Sequence, residues 1–136
     1  MGLPEVSLGV LPGTGGTQRL ARLVGKSRAI ELMVGGELFT FETAEAYGLV
    51  NRIVDADSKE TFMAAVLDYA RGFVPPAKAA LAVGRIKRAV QTGLEVSFEA
   101  GLALERELQQ QLFASEDAGE GIRAYVERRK AEFSGR

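Results

Sequence analysis

Glu5 is the residue of this sequence best placed to carry a proton in a reaction. It follows Pro4 and precedes a short apolar stretch, after which the chain enters a glycine-rich turn. A carboxyl group with apolar neighbours is poorly solvated, which favours its neutral form and suits it to general acid–base chemistry. The alternative interpretation is a structural carboxylate that caps a turn at the surface.

The loop after this stretch concentrates residues that control backbone geometry, namely Pro12, Gly13, Gly15 and Gly16. Proline fixes φ and glycine accepts positive φ, so Pro12-Gly13 predicts a turn. The two later glycines allow the main chain to pass close to another backbone or to a ligand. Because the loop lacks the Gly-Lys-Ser/Thr ending of a P-loop, we do not interpret it as a phosphate cradle.

The amino-acid composition excludes several kinds of chemistry. The 136 residues include no histidine and no cysteine, so Ser-His and Cys-His nucleophiles are impossible, and zinc or haem sites lose their usual ligands. The 17 basic and 18 acidic residues give no field that would favour nucleic acid or an acidic membrane surface. We therefore expect no metal, no nucleic-acid partner and no membrane partner, and we expect a cytoplasmic protein.

The elements that must hold Glu5 and the loop are predicted to be short. Val6, Leu8 and Val10 alternate with smaller residues, which predicts a strand, and Leu49–Val54 is predicted as a second β segment. Caps, breakers and apolar spacing predict helices at about Thr17–Val24, Ser27–Met33, Thr40–Ala46, from Asp57 onward, Ala77–Val90, Val96–Leu112 and from Ser115 onward. The chain is thus predicted to be mostly helical, with about two short strands.

A set of segments, in order along nearly the whole chain, shares the pattern of a known family. They are Pro4-Glu5, Leu8–Leu20 with its Pro-Gly-x-Gly-Gly-Thr-Gln-Arg-Leu, Val24–Ala29, Ala44–Asn51, Leu112–Asp117, Glu120-Gly121 and Val126–Lys130. Together they resemble the crotonase family, the enoyl-CoA hydratases and isomerases. The resemblance implies an α/β fold of the crotonase-like spiral type. Residues 1–54 would then form the C-terminal end of the spiral core, and residues 55–136 a helical region for oligomerisation.

The resemblance also implies roles for individual residues. Glu5 matches the family glutamate that moves a proton at the α-carbon of an acyl-CoA thioester. Residues expected to contact the acyl part of the substrate are Leu3, Pro12, Gly13, Thr14 and Gly15, although the glycine turn could instead serve folding alone. Arg128 would approach the CoA phosphates, unless its basic run is only a solvated face. The CoA thioester is the substrate, and no cofactor is implied.

The implied reaction is the syn addition of water to a 2-enoyl-CoA in fatty acid metabolism, by a homo-oligomer (a trimer or a dimer of trimers). The resemblance covers only the C-terminal part of the longer family members. The amides of their oxyanion hole and the second catalytic glutamate of the hydratases have no counterpart in this sequence, so we expect the chain alone to be inactive. Two alternatives stay open: a Δ3,Δ2-enoyl-CoA isomerase that uses the one glutamate, and a non-catalytic assembly module.

Overall fold

The structure, a computed structural model, describes residues 1–136, which fold as two compact units, Met1–Asp55 and Ala56–Arg136. The first unit contains a 3-10 helix (Pro4–Leu8), α1 (Gly16–Val24), α2 (Lys26–Gly35) and α3 (Phe41–Ala46). The second unit contains α4 (Lys59–Arg71), α5 (Ala80–Gly93), α6 (Phe98–Phe113) and α7 (Glu116–Glu127). In the first unit α2 packs against α1 and the 3-10 helix, and in the second α6 packs against α5 and α7.

The prediction of two short strands is wrong, because the chain contains helices and turns but no strand. The first predicted strand lies in and just after the 3-10 helix. Pro4 suits the first turn of a helix, where its missing N–H needs no partner. Gly9 ends this helix at a φ of 72°, and its N–H donates to the Val6 carbonyl at 3.0 Å. These local hydrogen bonds satisfy main-chain groups that a strand would offer to a neighbouring strand.

The second predicted strand, Leu49–Val54, is a turn followed by irregular backbone. The N–H of Leu49 donates to the Ala44 carbonyl at 2.8 Å, a bond that closes the C-terminal end of α3. The N–H of Ile53 donates to the Glu45 carboxylate at 3.2 Å. Main-chain groups in this segment therefore bond to a helix end and to a side chain, and no neighbouring strand is present to pair with it.

The predicted helices are confirmed, with ends that differ by a few residues. Four of them begin with a side-chain oxygen that accepts a main-chain N–H, from Thr40 in α3, Ser58 in α4, Ser97 in α6 and Ser115 in α7. Such caps stabilise the first turn, where N–H groups have no partner within the helix. None of the helices combines the length and the apolar character needed to cross a lipid bilayer.

The buried apolar core is small. Its fully buried members are Ala29, Ala44, Leu108 and Ala124, of which only Leu108 has a large side chain. Large apolar side chains instead lie exposed on most helices, including Ile30, Phe62, Leu67, Ile86, Val90, Phe98, Phe113, Ile122 and Val126. Extended apolar surface of this kind marks contacts with other protein surfaces.

The C-terminal tail folds back on the start of α7. Asp117, which is 3% exposed, accepts hydrogen bonds from the main-chain N–H groups of Ser134 at 2.7 Å and Gly135 at 2.9 Å. The N–H of Asp117 in turn donates to the Arg136 carbonyl at 2.8 Å. The hydrogen bond from Ser134 is the main reason that the pKa of Asp117 lies below its usual value. The tail is therefore held by an ionised carboxylate.

We expect the tail to detach as the pH falls from about 4.5 toward 2. The pKa of Glu120, which binds Arg129 and the tail, is lowered from 4.5 to about 2, and the pKa of Asp117 is lowered as well. A carboxylate whose pKa is lower in the folded state than in the unfolded state stabilises the fold fully at any pH above its pKa in the unfolded state. This stabilisation is lost as the pH falls through its pKa in the folded state.

Thermal unfolding of the wild type and of Asp117→Asn, measured from neutral to acid pH, checks this expectation. The variant lacks the titrating group, so its midpoint should decrease less on acidification than the midpoint of the wild type. Parallel decreases in the two proteins would show that Asp117 does not hold the tail through its charge.

Candidate active site

Glu5 lies in the first turn of the 3-10 helix and is half-buried. Its Oε2 atom is buried and has no hydrogen-bond partner. A buried polar atom without a partner costs free energy, and folded proteins keep few of them. A proton shared with a substrate or a bound water would supply the missing partner. One carboxylate oxygen of Glu5 is thus shielded from solvent, while the residue as a whole stays half-buried.

The position of this helix depends on Gly36, at the C-terminal end of α2. Gly36 has a φ of 66°, and a Cβ atom there would lie 2.7 Å from Cγ1 of Val6 and 3.8 Å from Cα of Pro4. Only glycine allows α2 and the helix that carries Glu5 to approach so closely. The sequence analysis did not identify Gly36 as a site residue, and its only local signal was a glycine at a helix end.

The glycine turn brings Leu3 and Pro12 together at the start of α1. A Cβ atom at Gly16 would lie 2.9 Å from Cβ of Pro12 and 3.8 Å from Cδ1 of Leu3. Pro12 is buried in this contact. Gly15 has a φ of 88°, in the left-handed region. Folding alone therefore accounts for glycine at positions 15 and 16, which is the alternative that the sequence left open.

Gly13 and Thr14 belong to the tight turn that the N–H of Gly16 closes on the Gly13 carbonyl at 3.0 Å. A Cβ atom at Gly13 would meet nothing within 4 Å, and its φ is not positive. Thr14 has a φ of 52° at the first central position of this turn, a conformation that costs free energy for a β-branched residue. Both residues are exposed. They are the part of the turn that is open to a ligand.

Two apolar grooves flank this region. One has a volume of about 460 Å³ and is lined by residues that include Val6, Val10, Pro12, Ile30 and Met33. The other has a volume of about 260 Å³, and its lining includes Leu3, Leu20, Leu32 and Phe39. Pro12 and Leu3 thus line separate grooves, and Glu5 lines neither of them.

Arg128 belongs to the second unit. It ends α7 with a φ of 54°, in the left-handed region where glycine is usual. The N–H of the next residue, Arg129, donates to the Ala124 carbonyl at 3.0 Å and completes the helix end. The Arg128 side chain is exposed and makes no hydrogen bond or ion pair. It is therefore available to an anionic ligand.

The other arginine of the basic run is already engaged. Arg129 donates from Nη1 and Nη2 to the two carboxylate oxygens of Glu120, at 2.6 and 2.8 Å. It also donates from Nε to Glu127 at 2.6 Å. Arg128, Arg129 and Lys130 are consecutive in the sequence. The structure separates their roles, because the eight residues between Glu120 and Arg129 include the end of α7 and a reversal of the chain, which brings Arg129 back to Glu120.

The sequence family is decided by a match over the whole chain. Residues 1–136 match the family model described as enoyl-CoA hydratase/isomerase. The chain belongs to that family. The crotonase resemblance is thus confirmed, and the helical structure described above is the form that this part of the family takes here.

Individual relatives agree with the family assignment. A probable enoyl-CoA hydratase of Rhizobium meliloti is 44% identical over 136 residues, which are 99% of this chain and 51% of the relative. The 2,3-dehydroadipyl-CoA hydratase of Escherichia coli is 41% identical over 135 residues, with the same coverage. A crystal structure of an enoyl-CoA hydratase from Geobacillus kaustophilus, 47% identical, matches 99% of this chain and 49% of its own with a TM-score of 0.84. The chain spans about half the length of the curated relatives it matches.

Proposed function

We propose that the protein acts on acyl-CoA thioesters as an enoyl-CoA hydratase, with Glu5 handling the proton at the α-carbon. The observation that carries this proposal is the buried, unpartnered Oε2 atom of Glu5, in a chain of the enoyl-CoA hydratase/isomerase family. A carboxyl group can exchange a proton with a carbon atom placed beside it, which is the work of a general acid or base.

In the proposed reaction water adds across the C2–C3 double bond. The oxygen of the water bonds to C3, and a proton is added at C2. Between these two events the oxygen of the thioester carbonyl carries negative charge. Glu5 supplies the proton to C2 as a neutral acid and recovers one from the attacking water as the cycle closes. Main-chain N–H groups stabilise such an oxyanion efficiently, and the family resemblance assigns them to a region outside these 136 residues.

The remaining substrate contacts are assigned to residues that each unit leaves exposed. Gly13 and Thr14 are the exposed part of the glycine turn, and we assign them to the surface that faces the acyl group. The unpaired Arg128 side chain supplies a positive charge for the CoA phosphates, since guanidinium groups match phosphate oxygens well. The exposed apolar helix faces are proposed to be covered in a homo-oligomer, and the cytoplasmic location stays a prediction from the sequence.

The second candidate reaction is the Δ3,Δ2-isomerisation of an enoyl-CoA. It is favoured by the presence of a single buried, unpartnered carboxylate oxygen in the chain, because this isomerisation needs only one carboxylate, which serves two carbon atoms in turn. In the 3-enoyl substrate the proton leaves C2 and returns at C4, so the same glutamate would act as base and then as acid.

Incubation of a short 2-enoyl-CoA, and of its 3-enoyl isomer, with a form of the protein that also carries the oxyanion-hole amides tests both candidates. Chromatography coupled to mass spectrometry distinguishes them, since hydration adds the mass of one water, whereas isomerisation gives a product of the same mass that elutes separately from the substrate. We expect the 2-enoyl substrate to give the 3-hydroxyacyl-CoA. Conversion of the 3-enoyl substrate without hydration would favour the isomerase, and no conversion of either would support the non-catalytic assembly module.

A further inference from the structure

We propose that Glu120 and Arg129 are positioning residues that hold the turn after α7 and thereby aim Arg128 at the phosphates of CoA. The inference rests on the proposed function, because Arg128 would meet these phosphates only if the protein binds CoA thioesters. We call the paired side chains of Glu120 and Arg129 the clamp.

The conformation of Arg128 shows why the turn needs support. A glycine in this left-handed position would cost less free energy than an arginine. Residues with side chains remain in such conformations when their surroundings determine them, and often where the side chain has a function. Arg128 has a φ of 54° and a ψ of 37°, while its side chain contributes no hydrogen bond or ion pair to the fold. We therefore infer that the Arg128 side chain serves in binding a ligand and not in stabilising the fold.

The clamp ties the two sides of this turn together. Glu120 lies within α7, and its carboxylate accepts hydrogen bonds from both terminal nitrogens of Arg129. The same carboxylate accepts the main-chain N–H of Glu132 at 3.1 Å, and Arg129 donates to the Lys130 carbonyl at 3.1 Å. Helix, turn and tail are thus joined at one ion pair. A paired fork of this kind fixes direction as well as distance.

The charges of the clamp are balanced, so Arg129 is a poor candidate for a phosphate ligand itself. Its hydrogen bond lowers the pKa of Glu120 to about 2, so that this carboxylate is ionised at neutral pH. A second carboxylate, that of Glu127, lies 2.6 Å from Nε of Arg129. The cationic groups left over in the run are those of Arg128 and Lys130.

Binding of adenosine 3′,5′-bisphosphate, a probe of the phosphates at the nucleotide end of CoA, tests the clamp in Glu120→Gln. Removal of a negative charge near a phosphate site would by itself tighten binding. The clamp predicts the opposite, a dissociation constant raised about fivefold, because Arg128 is no longer held in place. The matched control is Glu132→Gln, which removes the same charge from an exposed side chain of the same segment and should leave binding unchanged or slightly tighter.

Two further variants separate the possible failures. Arg128→Ala should weaken binding about tenfold or more, as expected for a lost charge-assisted hydrogen bond, and an unchanged dissociation constant would refute the proposed phosphate contact. If Arg128→Ala weakens binding while Glu120→Gln binds as tightly as Glu132→Gln, the clamp alone is wrong. Should Glu120→Gln fail to fold, Arg129→Lys retains the charge but loses the fork. It should show the same loss, and wild-type affinity would overturn the inference.

Discussion

Glu5→Gln, made in a form of the protein that also carries the oxyanion-hole amides, is expected to lower the turnover number on a 2-enoyl-CoA by about 10²- to 10⁴-fold, the usual contribution of a general acid or base. Glutamine has nearly the same shape as glutamic acid but cannot exchange a proton at neutral pH. The change should therefore affect kcat far more than KM, because the interaction is made with a proton in transfer rather than with the bound substrate. Steady-state kinetics on the wild type and the variant provide the measurement.

The matched control for this change is Glu31→Gln, on an exposed position of α2 in the same unit. It removes the same charge without touching the candidate site, so wild-type kinetics are expected. Both variants should keep the wild-type circular dichroism spectrum. Near-normal turnover in Glu5→Gln would return this residue to the structural interpretation, a carboxylate that only completes a turn.

Leu108→Ala is expected to destabilise the second unit by about 2–5 kcal/mol, as Leu-to-Ala changes in a packed core do. Leu108 is 2% exposed and is the one large side chain that is fully buried. Its replacement loses apolar burial and leaves a cavity in a unit that has few other buried contacts. Urea denaturation followed by circular dichroism measures the change in the free energy of unfolding.

Leu102→Ala is the control on the same helix, since its side chain is 37% exposed. The same atoms are removed, but less apolar surface returns to water, so we expect less than half the loss seen for Leu108→Ala. Equal losses at the two positions would mean that α6 is not anchored through Leu108.

Comparison of sequence and structure shows that local signals were reliable. The helices were predictable because their caps lie within a few residues of the groups they satisfy, as Ser115 does for the N–H of Ala118 at 3.1 Å. The family was also predictable, because its motif of proline and glycine around residues 12–16 is long and ordered. The same motif predicts Glu5 as the candidate proton carrier.

The strands were mispredicted for a physical reason. Alternation of apolar and small residues at Val6–Val10 is typical of a strand. A strand forms, however, only when a second strand supplies hydrogen bonds to its main chain. In this chain Pro4 and Gly9 close a 3-10 helix from local bonds instead. A short stretch of sequence does not show whether a second strand lies beside it in the fold.

The sequence by itself determined the family, the helical content and the identity of the candidate proton carrier, because each depends on residue types at short separations. The tertiary structure alone decided that an oxygen of Glu5 is buried without a partner, that Gly36 supports its helix, and that Arg129 is paired while Arg128 is free. These features depend on contacts between residues far apart in the chain. Such contacts form only when helices pack, and neither composition nor spacing specifies them.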